Sequence, residues 1–376
     1  MTVCLFGSYT TAEGYPVNRV LRQGLRLSGV QVVECRAEVW GRFVHELLAN
    51  ATPWRLVMTL WRMARGLVQL SLRYARVPAH DWVLIGYPGY LDVRLARWLI
   101  GRRRQIVLVS FISLFDTAIC DRRNASETSW MARLLKWLDA SAFRAADIVL
   151  VDTDAQGDYY AKLFGIERQR FVRSLVGEED EKFSFRPLPP RLEGEPLRVL
   201  FFGTYVPLHG IDTIIEAASL LQGDEVDFTL IGSGQEFDSL QARCLELGGR
   251  VQFISQWQSS DQLHDHIVHS HVCLGVFGTT AKAARVIPYK VFDALAVGRP
   301  VITRDSPAIR ELLVHDESVV LCPPGDAAAL AGAITRLRDE PSLAREIAAS
   351  GHEVYTQHGS PAAIGRQLLC RVEMVN

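Results

Sequence analysis

Lys290 and Asp293, three residues apart on one short segment, are the side chains best placed to do chemistry. The run Pro288–Thr303 reads PYKVFDALAVGRPVIT. Its pattern is helix, turn, strand. Gly298 stops the helix, Arg299 and Pro300 turn the chain, and Val301-Ile302-Thr303 is an apolar strand. Such a unit carries a lysine and a carboxylate to the mouth of a parallel sheet. Open α/β sheets bind their ligands there.

Two glycine loops extend this picture. Phe202-Gly203-Thr204 leads through Pro207-Leu208-His209 to Gly210, a strand followed by a glycine loop and a helix. Backbone amides at such a loop favour phosphate, although the same pattern also serves as a plain helix-start turn. Gly232 and Gly234 end a second strand, either to let a ligand lie against the backbone or to make a tight turn. Lys282 and Arg285 precede Lys290, and three cations suit a pyrophosphate; a solvated basic loop is the alternative.

In the first half, Asp116 follows a strand at 106–109. It suits proton removal from a hydroxyl, or capping. Asp152-Thr153-Asp154 has the spacing of a metal motif, but Asp is common at helix starts, and that is the reading preferred. Asp326 reads as a helix cap and Glu311 as loop support. His264, His266 and His269 read as a solvated helix face with no third metal ligand evident.

The elements that hold these residues alternate strand and helix. Strands are expected at 3–7, 30–33, 82–86, 106–109 and 146–151. Helices are expected at 18–28, 54–76, 92–100 and 158–163. The proline segment Arg186–Pro190, completed by Glu193–Pro196, reads as a stiff linker. Beyond it the pattern restarts with strands at 198–202 and 227–231 and helices at 211–221 and 236–247. Short strands follow near Val251, Val272, Val301 and Val319, then helices at 327–338, 341–349 and 361–374. The fold class is therefore α/β, with doubly wound parallel sheets in two domains. A chain of 376 residues is long enough for two cores.

A net charge of −1 argues against a nucleic-acid binder driven by overall charge. Seven scattered cysteines without a Cys-x-x-Cys pair suggest a reducing compartment and no zinc site. Neither a signal peptide nor an eighteen-residue apolar run is seen, so a cytoplasmic location is expected.

The segment Pro288–Thr303 resembles the donor-sugar signature of the family-4-like glycosyltransferases, the glycosyl transferases group 1. Leu274–Gly278 and Ile287–Lys290 resemble one subgroup of them. The resemblance implies a GT-B architecture, two Rossmann-like domains with a cleft between them. It implies domains at 1–185 and 198–358, a linker at 186–197, and a last helix at 359–376 crossing back to the first domain. It implies a nucleotide-sugar donor, with UDP or GDP, a hydroxyl acceptor, no cofactor or metal, and retention of stereochemistry. Asp293 stands where the family usually has a ribose-binding Glu. Gly203, Thr204, Gly232, Gly234, Lys282, Lys290 and Val291 are the other expected donor-binding residues. Asp116, His209 and Arg285 are the expected catalytic ones. Three positions depart from the family pattern. Thr204 and His209 replace its clamp cations, and Arg285 replaces a Glu. These departures keep a non-catalytic nucleotide-sugar scaffold open, beside a GT-B epimerase or phosphorylase.

From Trp40 to Arg104 the chain is basic, with only Glu46, Asp81 and Asp92 against its arginines. The helix at 54–76 mixes Trp54, Trp61, Leu60, Leu67 and Leu70 with Arg55, Arg62, Arg65, Arg73 and Arg76. That mixture suits docking on an anionic membrane, on the cytoplasmic face of the inner membrane, with a lipid-linked glycan as acceptor. A core helix with snorkelling arginines is the alternative.

Overall fold

A computed structural model describes the chain except for residues 13, 40–52, 122–125, 193, 224, 248, 249, 375 and 376. Trp40, Arg42, Glu46, Arg122 and Glu193 therefore lie outside the described residues, as do the side chains of Arg55 and Leu60. The chain divides into two compact units. One comprises Met1–Ile119, Ala125–Leu175 and Ile364–Asn376; the other comprises Cys120–Asn124 and Val176–Ala363.

The first unit is built on six parallel strands: β1 (Thr2–Gly7), β2 (Gln31–Arg36), β3 (Trp82–Ile85), β4 (Gln105–Val109), β5 (Ile148–Val151) and β6 (Phe171–Arg173). Their order is β2-β1-β3-β4-β5-β6, so the winding reverses between β1 and β3. The central strands β3 and β5 are apolar throughout and buried on both faces, as a sheet covered by helices requires. The helices are α1 (Val17–Leu27), α2 (Pro53–Tyr74), α3 (Asp92–Ile100), α4 (Trp130–Ala145) and α5 (Asp154–Phe164).

Three details differ from the sequence pattern. β2 runs on to Arg36, because an edge strand tolerates charge: Glu34 accepts from the Tyr9 hydroxyl at 2.7 Å and pairs with Arg22 and Arg26, each at 3.2 Å. α4 and β6 are not foreseen at all. α5 starts at Asp154 rather than Asp158, because the Thr153 side chain caps it by accepting from the Gln156 amide at 3.0 Å.

The second unit has strands β7 (Leu197–Phe202), β8 (Val226–Ile231), β9 (Val251–Ile254), β10 (Val272–Leu274), β11 (Val301–Arg304) and β12 (Val320–Cys322). They are parallel, in the order β12-β11-β10-β7-β8-β9, and the winding reverses between β7 and β10. Its helices are α6 (Ile211–Leu220), α7 (Phe237–Leu247), α8 (Ser260–His269), α9 (Tyr289–Val297), α10 (Ala327–Asp339) and α11 (Pro341–Val354). Asp326 caps α10 by accepting from the Ala329 amide at 2.9 Å. The last helix, α12 (Pro361–Met374), belongs to the first unit from Ile364. There Gly365 lies so close to α1 that a Cβ would stand 2.1 Å from the Gly24 carbonyl oxygen.

The passage between the units comes earlier than the proline segment. From Val176 the chain packs with the second unit: the Glu178 carbonyl accepts from the Tyr355 hydroxyl at 2.9 Å, and buried Phe183 meets His264 edge-on. The proline segment is itself bound there. The carbonyls of Arg186 and Pro187 accept from the Arg299 guanidinium at 2.9 and 3.3 Å.

Candidate functional site

The loops after β7 and β10 leave the sheet of the second unit where its winding reverses, the place where open α/β sheets take ligands. α9 begins at the end of the second loop. Pro288 stands at its N-cap and supplies no side-chain hydrogen bond. Lys290 lies on this first turn and is buried. Its Nζ sits 3.9 Å from the centre of the Phe201 ring and has no hydrogen-bond partner among the described residues. Burial holds its ammonium well below the usual lysine range; the nearby Asp293 opposes this only in part.

Gly203 makes room for that lysine. Its φ is +140°, and a Cβ there would lie 2.9 Å from Lys290 Nζ and 3.3 Å from His209 Cε1. A helix N-terminus whose N-cap residue supplies no side-chain bond, a buried cation without a hydrogen-bond partner among the described residues and a backbone without a side chain thus meet at one point. A buried ammonium with nothing to bond is costly, and an anion would satisfy both it and the helix end.

Asp293 lies one turn further along α9, and its Oδ1 has no hydrogen-bond partner among the described residues. Glu178 meets it side chain to side chain, both carboxyls being buried. Burial, and then the neighbouring Glu178, push Asp293 well above the usual carboxylate range; Lys290 pulls it the other way. Two buried carboxyls side by side, with Lys290 beside them, put several oxygens where a diol could be held. Glu178 is not among the residues singled out from the sequence. The only hint is the acidic run Glu178-Glu179-Asp180-Glu181 just before the proline segment. Asp293→Ala should weaken binding of a nucleotide donor by about 1.5–3 kcal/mol, the range for a hydrogen bond to a charged group. Calorimetry on the folded variant checks this, and unchanged affinity would remove Asp293 from the site.

His209 stands beside Lys290 but is not a second cation. Its Nδ1 donates to the Thr204 carbonyl, which leaves Nε2 as the acceptor of a neutral ring. Burial, with the Lys290 charge behind it, pushes the imidazole well below its ordinary range. Thr204 itself is exposed. Lys282 is already matched, its Nζ 3.7 Å from Asp121 Oδ2. Arg285 is half-buried on the turn whose amide bonds the Lys282 carbonyl at 2.9 Å. The three cations of the loop are thus not equivalent, and Lys290 alone combines burial with an unpaired head group.

The remaining expected site residues are placed as follows. Val291 is fully buried and anchors α9. Gly232 and Gly234 let two loops touch: a Cβ would stand 2.0 Å from the Gly203 oxygen at the first and 2.4 Å from the Tyr205 oxygen at the second. Asp116, in the first unit, has no exposed surface and starts a wound turn at Asp116–Asp121, its amide bonded to Ser113 Oγ at 3.0 Å. The neighbouring Asp139 on α4 clamps that loop, accepting from Ser113 Oγ at 2.6 Å and the Phe115 amide at 2.9 Å. A role for Asp116 in accepting a proton requires this turn to open. Asp154 pairs with Arg168 at 2.6 Å, and among the described residues no His, Cys, Asp or Glu cluster could hold a metal.

Comparisons with known proteins find similarity over part of the chain in sequence and over nearly all of it in fold. A family model described as glycosyl transferases group 1 matches residues 196–340. The amylovoran biosynthesis glycosyltransferase AmsK of Erwinia amylovora is 30% identical over 178 residues, 46% of this chain and 43% of that relative. The chain thus spans less than half the length of that relative. HepE of Anabaena, solved in complex with UDP, superposes with a TM-score of 0.69 at 16% identity over 99% of both chains. Sucrose-phosphate synthase of Thermosynechococcus elongatus gives 0.70 at 18% identity over 100% of this chain and 99% of that one. At these identities the likeness to the solved structures shows the fold, which is GT-B.

Proposed function

We propose, on the premise that the chain belongs to the glycosyl transferases group 1 family through residues 196–340, that it moves a sugar from a nucleoside-diphosphate sugar to a hydroxyl acceptor. The observation that carries this reading is Lys290, a buried ammonium on the first turn of α9 without a hydrogen-bond partner among the described residues. A leaving diphosphate develops negative charge, and fixed charges and amides in a dry site stabilise it as a metal ion would. The transfer is therefore read as metal-independent and, by likeness to the family, as retaining. The paired carboxyls of Asp293 and Glu178 suit the two hydroxyls of a ribose. The HepE complex with UDP supports a uridine donor without excluding a guanosine one.

The test is incubation with UDP- and GDP-sugars and a panel of acceptors in the presence of a chelator. Free nucleotide together with a glycosylated product supports the reading. Nucleotide binding without turnover favours a scaffold, the reading that the neutral His209 and the paired Lys282 would suit.

The acceptor is read as lipid-linked and the protein as peripheral on an anionic membrane. α2 packs against α3 and α3 against α4, so the three form one layer. That layer exposes Trp54, Trp61, Trp98, Trp130 and Trp137, each by more than half of its surface. Val68 and Leu72 continue the stripe of Trp54 and Trp61 along α2. Indoles and arginines on one face are suited to the headgroup layer. No described helix is long and apolar enough to cross a membrane. Each cation held near an anionic leaflet contributes about 1 kcal/mol. The protein should therefore sediment with vesicles of phosphatidylcholine and phosphatidylglycerol, less so in high salt. Changing Trp54, Trp130 and Trp137 to Ser should release it. If the unaltered protein ignores such vesicles at low salt, the acceptor is soluble.

A further inference from the structure

A second basic site lies in the first unit, past the carboxyl ends of β1 and β2. A cavity of about 890 Å³ opens there between the loop Thr10–Ala12, the end of β2 and α2. Arg36, Arg62, Arg65 and Arg73 line it, with Glu38 as the acid among its lining residues and Trp61 as an indole wall. Arg36 is held by carbonyl and ring: its Nε donates to the Tyr9 carbonyl at 3.2 Å, and its guanidinium lies 5.3 Å from the Tyr9 ring centre. Arg73 donates to the Arg36 carbonyl. Arg65 stacks on Trp61 at 5.6 Å.

These contacts orient the guanidinium groups of Arg36, Arg65 and Arg73 without neutralising them. No carboxylate pairs with Arg36, Arg65 or Arg73 among the described residues. Several like charges around one cavity repel one another, and a multivalent anion relieves this. Guanidinium forks match phosphate oxygens two by two, and those of Arg36, Arg65 and Arg73 exceed what one carboxylate can use. The place lies at the carboxyl end of the sheet, the end at which open α/β sheets take ligands, and beside the strand β1 that borders the reversal.

We infer that this cavity is a binding site for a phosphate or diphosphate ester, with Trp61 against the group that the ester carries. Its use as the seat of a phosphorylated acceptor rests on the transfer reading above; the site itself does not. The phosphate could be borne by a lipid or by a soluble sugar phosphate, and the two are separated by the probe.

The experiment uses the Lys290→Met variant, in which diphosphate binding by the second unit is weakened. Inorganic pyrophosphate and farnesyl diphosphate are titrated by calorimetry at low salt into this variant and into the same variant carrying Arg62→Ala and Arg65→Ala. Circular dichroism and the melting temperature check the fold. Pyrophosphate should bind the first protein, and the two added substitutions should weaken it by at least about tenfold, the scale of losing charge-assisted bonds. Farnesyl diphosphate binding more tightly than pyrophosphate supports the site with a lipid-borne ester. Equal affinity supports it with a soluble one. If the Lys290→Met protein binds neither probe, or if Arg62→Ala with Arg65→Ala changes nothing, the inference is overturned. Titration of UDP into the unaltered protein reads the donor site separately, so failure of the transfer reading and failure of this site remain distinct.

Discussion

Lys290→Met should lower kcat/KM for sugar transfer by at least about 10²-fold, the scale of removing one preorganised stabiliser of a developing charge. The reason is the position of the ammonium, buried over Phe201, opposite the bare backbone of Gly203, on the first turn of a helix whose N-cap residue, Pro288, supplies no side-chain hydrogen bond. Methionine keeps most of the volume and removes the charge. The same substitution should raise the melting temperature, because an unpaired buried cation destabilises the free protein. Loss of activity with gain of stability is the signature of a binding charge; a lysine kept for packing would give neither. Steady-state kinetics and thermal unfolding of one preparation measure both. Near-normal transfer would assign the diphosphate to other groups.

Arg299→Met should destabilise the protein by about 3–5 kcal/mol, the cost of breaking a buried charged network from one side. Arg299 has no exposed surface. Its guanidinium donates to the carbonyls of Ile267 and Val268 at the end of α8, of Val297 and Gly298 at the end of α9, and of Arg186 and Pro187. Two helix ends and the proline segment thus share one cation, which also faces the negative ends of two helix dipoles. Burial lowers its pKa only to about 10, so it stays charged. Methionine would leave those carbonyls buried without their donor. Urea unfolding gives the difference, and a loss below about 1 kcal/mol would show that water or a relaxed backbone takes over the six bonds.

Arg299 also shows where reading a sequence stops. After Gly298 and before Pro300 it has the signature of a surface turn, and nothing local tells that six carbonyls converge on it. By contrast, the helix that carries Lys290 and Asp293 is legible, because Pro288 and Gly298 bound it and its apolar residues repeat at helical spacing. The alternation of strands and helices is legible for the same reason. α4 escapes notice because its outer face bears Trp130, Met131, Leu134 and Trp137, which blurs the contrast between an apolar and a polar side. Pairings between distant residues are not legible either. Glu178 with Asp293 and Asp121 with Lys282 depend on how the chain returns on itself. The charge of His209 is illegible for a further reason: it is decided by burial and by the Lys290 ammonium, neither of which a motif records.

The central claim is that Lys290 holds the diphosphate and Asp293 the ribose of one donor. Calorimetric titration of UDP and of uridine, or of GDP and guanosine, into the unaltered protein and into Lys290→Met tests it most directly. The account predicts that the substitution weakens the diphosphate by at least about tenfold, as loss of a charge-assisted contact should, and leaves the nucleoside unchanged. Equal losses for nucleotide and nucleoside, or no loss for either, would contradict it.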